Sequence, residues 1–344
     1  MSELLRVEGL HAAYRVASST VDVRAVDGVS LVLHEGEVLG IVGESGCGKS
    51  TLAAVLALNA RPPLVVRQGS MVFDGRSIPL TEQDHLPAEW RGKLVSLLPQ
   101  GAMNSLNPTA RIRDFAVDVI RAHEPMVSRR DAIARAATRL EQLSLPTRAL
   151  DSYTHQLSGG MRQRVVAAIS TLLNPRVLIA DEPTSALDVS SQRVLVSMLL
   201  DLLDRRLVAG MIVITHDLPL VSNIAHRIAV MYAGKIVETA PTERIVSNPQ
   251  HPYTRALIGS ALVPDPSLRT RRIEGIPGAP PDLRFPPRAC RFHPRCPLAM
   301  EVCTREDPPV VAREDGFALC WWVAGVHEPR ALERSVQSPE VASR

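Results

Sequence analysis

Residues 43–51 read Gly43-Glu44-Ser45-Gly46-Cys47-Gly48-Lys49-Ser50-Thr51 and hold a complete G-x-x-x-x-G-K-[ST] pattern. Three glycines at this spacing let a turn gather its N–H groups into one concavity, which suits phosphate. Lys49 reaches β- and γ-phosphates, and the Ser50 hydroxyl is a ligand for Mg²⁺. Alone, the pattern points to a nucleoside triphosphate and no further. Asp181-Glu182 end an apolar run and supply two acids for phosphoryl transfer to water. Asp181 would hold Mg²⁺ through water and Glu182 would polarise the attacking water. Gln100 and His216 each close another apolar run. Gln100 reads either as a plain loop residue or as a group reaching the metal or the water. His216 reads either as structural or as a γ-phosphate contact. Ser158 ahead of Gly159-Gly160 has the form of a helix N-cap with exposed amides, a second potential anion site. Tyr14, on a strand pattern, is placed to stack on an adenine ring or to sit half-buried there.

A second group lies far downstream. Cys290, Cys296, Cys303 and Cys320 are separated by five, six and sixteen residues, with Pro297 directly after Cys296. Four clustered cysteines in a reducing compartment point to metal, although the paired C-x₂-C of most zinc sites is missing. Four thiolates suit an iron–sulfur cluster or zinc, and reduced structural cysteines are the third reading.

These side chains need particular elements to hold them. Val38–Val42 predicts a buried strand, with a helix from Lys49 that ends near Asn59 before Pro62-Pro63. Upstream, residues 4–34 alternate like antiparallel strands, with turns expected at Asp27-Gly28 and Glu35-Gly36. Residues 94–98, 177–181 and 211–215 are further apolar runs ending in the candidate site residues, and residues 230–237 predict a hairpin turning at Ala233-Gly234. Between residues 106 and 156 glycine vanishes and Ile133, Ala136, Ala137, Leu140 and Leu143 take helical spacing, which predicts a helical insertion. Ser185-Ala186-Leu187-Asp188 opens another helix. Beyond residue 255 the chain becomes rich in Pro and Arg with little periodicity, and from Val326 it is polar.

Composition bounds the class. A hydrophobic fraction of 45% with 22% charged residues is that of a globular protein. Aromatics make up only 3%, against a base-stacking nucleic-acid platform, and the net charge of +3 implies no polyelectrolyte partner. Only three of the 39 basic residues are lysines, and one of the three is in the glycine-rich loop, where a compact ammonium is needed. No apolar run approaches a membrane span, and the N-terminus lacks a signal-peptide pattern, so a cytosolic protein with reduced cysteines is expected.

In this order the pieces resemble the ATPase subunit of an ABC transporter. Residues 43–51 are similar to Walker A, Gln100 to the Q-loop, residues 157–163 to the ABC signature, residues 177–182 to Walker B, residues 185–188 to the D-loop and His216 to the switch histidine. The signature discriminates, because other P-loop ATPases lack Leu157-Ser158-Gly159-Gly160 just ahead of Walker B. Ser105-Leu106-Asn107-Pro108, the Met161-Arg162-Gln163-Arg164 that extends the signature, His251-Pro252-Tyr253-Thr254 and the cysteine tail resemble the oligopeptide/dipeptide (and nickel) importer subfamily. Gly101-Ala102 departs from the acid and proline usual after the Q-loop glutamine, which puts detail of permease coupling in doubt. Cys47 stands where serine is common, which should leave phosphate binding by backbone N–H groups intact.

The resemblance implies an α/β fold: a P-loop NTPase of the ABC nucleotide-binding type, with an antiparallel β layer, a mainly parallel core sheet and a helical subdomain. It would span residues 1–255, with the helical subdomain at about 106–165, followed by an irregular extension over 256–344 that carries the cysteines. It implies ATP held by Tyr14, Gly43, Glu44, Ser45, Gly46, Cys47, Gly48, Lys49, Ser50 and Thr51, with Ser158, Gly159, Gly160 and Gln163 closing a partner's site. Mg²⁺ would sit at Ser50, Gln100 and Asp181, with Glu182, His216 and Gln100 serving hydrolysis. A 4Fe–4S cluster on Cys290, Cys296, Cys303 and Cys320 is implied, with zinc as the alternative. Implied partners are a second ABC ATPase subunit, two transmembrane permeases and an extracytoplasmic solute-binding protein acting through them, with no nucleic acid. The chain would then work peripherally on the cytoplasmic face of the membrane, powering import of short peptides. Rivals are an ABC ATPase for nickel or another solute, and a soluble ABC ATPase of nucleic-acid metabolism.

Overall fold

A computed structural model describes residues 2–15, 21–101, 106–185, 187–260, 275–313 and 315–327. Ala102 after the Q-loop glutamine, Ser105 of the importer-subfamily motif, Ala186 and the tail from residue 328 lie outside them. The chain opens with β1 (Glu3–Tyr14), β2 (Val23–His34), β3 (Val38–Val42) and helix α1 (Lys49–Leu56). β4 (Leu64–Phe73) and β5 (Arg76–Ile78) join the first two strands in an antiparallel sheet ordered β2-β1-β4-β5. Next come the short α2 (Trp90–Lys93), β6 (Val95–Leu98) and the helices α3 (Ile112–His123), α4 (Arg129–Gln142) and α5 (Gly159–Ser170). β7 (Val177–Asp181), α6 (Val189–Asp204), β8 (Gly210–Thr215), α7 (Leu218–Ser222), β9 (Arg227–Tyr232) and β10 (Lys235–Pro241) follow. Last are α8 (Thr242–Ser247), α9 (Pro252–Ser260), α10 (Val302–Arg305), β11 (Val310–Arg313) and β12 (Gly316–Leu319).

The second sheet runs β11-β12-β10-β9-β3-β8-β7-β6. From β9 to β6 the pairs are parallel. Parallel strands are covered on both faces, which explains their unbroken apolar runs. In β3 the period of two divides them: Val38 and Val42 face the core under the helices, while Leu39 and Ile41 face a second core beneath the antiparallel sheet. Leu52, Val55 and Leu56 of α1 fill that second core. Each such side chain contributes about 1.5–3 kcal/mol through burial, so a charge at Ile41 would break the layer contact.

The helical layer forms as its spacing predicts. Ile112, Ala116 and Ile120 of α3 meet Ala132, Ala136 and Leu140 of α4 in one core. The Ser128 hydroxyl accepts the Asp131 N–H to start α4, and the Asp188 carboxylate accepts the Ser191 N–H to start α6.

One local expectation fails. Asp27-Gly28 is not a turn but lies inside β2. Leu10 pairs with Val29 and His11 with Asp27, so Gly28 (φ 75°) is an extra residue in a β-bulge. A bulge and a turn both want glycine at positive φ, and the local sequence does not separate them.

The segment after residue 255 is tied into the same core. β12 pairs with β10 at Glu238 and Ala318, extending the central sheet. Phe292 is fully buried, with its ring 5.3 Å from Tyr232 and 5.4 Å from Tyr253. His251 is the joint: Nδ1 accepts the Tyr253 N–H at 3.0 Å, and the ring donates to the Leu319 carbonyl. The N–H groups of Gln250 and His251 donate to the Glu238 carboxylate.

Candidate nucleotide site

The C-terminal ends of β3, β6, β7 and β8 lie along one edge of the central sheet, and the chain leaves that edge in Walker A, Gln100, Asp181-Glu182 and His216. A parallel sheet with its crossover helices forces this, because every strand ends on the same side. At Gly48 (φ 110°) an added Cβ would stand 1.9 Å from the Ala25 carbonyl oxygen, and at Gly43 2.1 Å from that of Met231. Both glycines are thus required by close backbone approach. The loop is wedged between β2 and β9.

Lys49 is buried and donates from Nζ to the Gly43 carbonyl at 2.7 Å and the Glu44 carbonyl at 3.0 Å. Cys47 is buried beneath the loop, with Sγ 3.8 Å from Lys49 Nζ, and burial pushes its thiol up. Ser45, Gly46 and Ser50 are exposed, on the open side of the concavity. Thr51 donates to the Tyr14 hydroxyl at 3.2 Å, so Tyr14 stands beside the first turn of α1.

Burial pushes the Asp181 carboxyl above the ordinary aspartate range, and the Ser50 hydroxyl bonded to it partly offsets this. Its Oδ1 is buried with no hydrogen-bond partner among the described residues. An orphaned carboxylate oxygen beside a Walker A serine has the donor chemistry of a Mg²⁺ position. Glu182 has φ 49°, and its Oε1 lies 2.8 Å from His216 Nδ1. Thr215 donates to Glu182 Oε2 at 3.4 Å, a contact with no counterpart in the sequence reading. Gln100 is exposed at the end of β6 and shares no hydrogen bond with Ser50 or Asp181 among the described residues.

The signature sits apart from this group. Ser158 caps α5, accepting the Met161 N–H at 3.3 Å, and Ser158 and Gly159 are exposed. Gly160 packs on α6, where a Cβ would meet Ser191 Oγ at 2.8 Å. Gln163, expected with them, is buried and donates to the Pro183 carbonyl at 2.8 Å. Its amide is turned inward to Pro183, directly after Walker B, and away from the exposed start of α5.

Cys290, Cys296, Cys303 and Cys320 line one small apolar pocket with His251, Phe292 and Trp321. Burial, with neighbouring thiols adding to it, pushes Cys290 up to about 11 and Cys296 up to about 12; burial also raises Cys320. Among the described residues no three His, Cys, Asp or Glu side chains are grouped to hold a metal ion. The same holds for helices that could span a membrane: none of them is long and apolar enough.

Sequence reasoning missed Thr215, Tyr253 as a contact of the loop, and Arg295. Tyr253 receives the Glu44 N–H at 2.9 Å, and the Arg295 guanidinium chelates the Glu44 carboxylate. Partners more than two hundred residues apart leave no local signal.

Known proteins agree with this architecture. The ABC transporter family matches residues 26–185, and the oligopeptide/dipeptide transporter C-terminal region matches residues 237–303. The dipeptide transport ATP-binding protein DppD of Caldanaerobacter subterraneus subsp. tengcongensis is 41% identical over 319 residues, covering 92% of this chain and 96% of the relative. The oligopeptide transport ATP-binding protein OppD of Bacillus subtilis is 38% identical over 347 residues, covering 99% and 93%. In fold, the ATP-binding cassette MJ0796, solved as a dimer in a post-hydrolysis state with ADP and Pi, matches 70% of this chain and 99% of its own at a TM-score of 0.59 and 23% identity. With Walker A, Walker B and the signature set out on this scaffold, the chain belongs to the ATP-binding subunits of ABC transporters, in their oligopeptide/dipeptide branch.

Proposed function

We propose that this subunit hydrolyses ATP to power import of short peptides through membrane permeases. The observation that carries the chemistry is the convergence at one sheet edge of the Lys49 loop, the orphaned Asp181 oxygen and the Glu182–His216 pair. The peptide cargo rests on the names of the relatives and on the C-terminal region match.

In this reading Tyr14 stacks on adenine, and residues 43–51 surround the phosphates with N–H groups and the Lys49 ammonium. Ser50 and Asp181 would hold Mg²⁺, with Gln100 as the third residue assigned to it. The metal would neutralise charge on the β- and γ-phosphates. Glu182 accepts a proton from the attacking water, and His216 keeps that carboxylate aimed while sensing the γ-phosphate. Ser158, Gly159 and Gly160 turn their amides to the nucleotide of a second ATPase subunit paired head to tail. Gln163 is assigned a supporting part, since its amide fixes Pro183 beside Walker B. Residues 1–255 form the cassette, with the helical subdomain over about 106–165 as the permease-facing part, and residues 256–344 form the extension. Two permeases, and a solute-binding protein acting through them, complete the transporter, and the chain sits peripherally on the cytoplasmic face.

The cysteine pocket is proposed to hold a 4Fe–4S cluster. Zinc bonds of about 2.3 Å would bring four sulfurs to within about 4 Å of one another. A cluster spreads its thiolates over several irons, so it needs no such tight group. Four cysteines lining one pocket, without the C-x₂-C pairs of most zinc sites, support the cluster over zinc.

The test is capture of the complex from detergent-solubilised membranes by a tag on this chain. ATPase activity is then followed with and without short peptides and their binding protein. Co-purifying permeases with peptide-stimulated hydrolysis are expected. Permeases without peptide stimulation would move the cargo to another solute, nickel first, and absence of any membrane partner would overturn the transporter reading.

A further inference from the structure

The geometry assigns Arg295, in the cysteine segment, as a positioning residue for the phosphate-binding loop, acting through Glu44. This rests on the reading of residues 43–51 as the ATP site. Arg295 Nη1 donates to Glu44 Oε2 at 2.6 Å and Nη2 to Oε1 at 2.9 Å, a bidentate pair in which the arginine side chain is only 5% exposed. The rest of the guanidinium is also occupied. Nε donates to the Pro277 carbonyl at 2.7 Å, Nη1 to the Tyr232 hydroxyl at 3.3 Å and Nη2 to the Gly278 carbonyl at 3.4 Å. A fork held at both ends is a rigid strut, and lysine, with one point charge, cannot replace it.

Glu44 is the second residue of Walker A and is gripped at three points. Its carboxylate takes Arg295, its N–H donates to Tyr253, and its carbonyl accepts from Lys49. Two of the three partners come from beyond residue 250, and the exposed rim of the loop starts right after Glu44, at Ser45 and Gly46. A glycine-rich loop loses much conformational freedom when it closes on phosphate. Fixing its entry in advance lowers that cost, so the strut acts on affinity for nucleotide. Once ATP is bound, the phosphates themselves hold the loop, and the chemical step no longer depends on Arg295.

The test compares the full-length wild type with Arg295→Lys, Glu44→Gln and the double variant. Binding of a fluorescent ATP analogue, KM and kcat of the membrane-captured complex, and thermal melting are measured. Kd and KM are expected to rise about tenfold with kcat held within about twofold. The double variant should bind no worse than either single one, because both remove the same link. Melting falls in either case, but a purely structural role would lower melting and leave KM in place. Nucleotide affinity in Arg295→Lys within about twofold of wild type would overturn the inference, and Glu44→Gln carries the same test if Arg295→Lys does not fold. Failure of the wild type itself to bind ATP would overturn the nucleotide reading instead.

Discussion

Nδ1 of His216 stands 2.8 Å from Oε1 of Glu182, joining the ends of the adjacent parallel strands β8 and β7. The histidine side chain is 64% exposed and the glutamate side chain 9%. The buried acid is therefore aimed by a partner that can still reach out to a ligand. Thr215 touches the other oxygen, so both sides of the carboxylate are constrained.

Replacing Glu182 with glutamine keeps the shape and removes the carboxylate assigned as the base. We expect ATP binding to stay near wild type and turnover to fall by about 10²–10⁴-fold, the usual contribution of a positioned base. Nucleotide titration beside steady-state hydrolysis checks this, and normal turnover would remove Glu182 from its assigned role.

His251 should make the fold sensitive to acid. Burial holds its pKa at about 3, against a smaller upward pull from the Leu319 backbone. The unfolded chain takes up a proton below about pH 6.5, which the folded chain refuses until about pH 3. Stability from this group is complete above that upper value and is lost as pH falls through the window, by up to about 1.4 kcal/mol per pH unit. Melting curves from pH 7 to 5 should show a shallower loss in His251→Gln than in wild type, from a lower starting point.

The cysteine pocket gives a compositional prediction. Protein purified without air should carry about four irons and four acid-labile sulfides per chain, and Cys296→Ser should lose both. Zinc in place of sulfide would assign a mononuclear site instead.

Phe292 tests how firmly the extension is docked. It is 1% exposed and packs between Tyr232 and Tyr253. Phe292→Ala should cost about 3–5 kcal/mol, read as a fall in the denaturation midpoint. A change below about 1 kcal/mol would mean that the extension contributes little to the core.

The cassette was legible because its signals are local. Buried strands announce themselves as apolar runs, Walker A and Asp181-Glu182 sit where such runs end, and the signature is one contiguous motif at the start of α5. The bulge at Gly28 was not legible, since glycine marks turn and bulge alike. The inward face of Gln163 was hidden in the helical phase beyond the signature. Nothing near Arg295 announces Glu44, and the short β11 and β12 lack the length to show periodicity. What the sequence withheld is the long-range pairing that fastens the extension to the nucleotide loop.

Lys49 gives protons to two carbonyls of the loop itself. An ammonium has three donors, so these two bonds hold the side chain in place and leave one proton for a further acceptor. Buried and bonded in this way, the lysine presents little of its charge to solvent, so stray anions have little to hold.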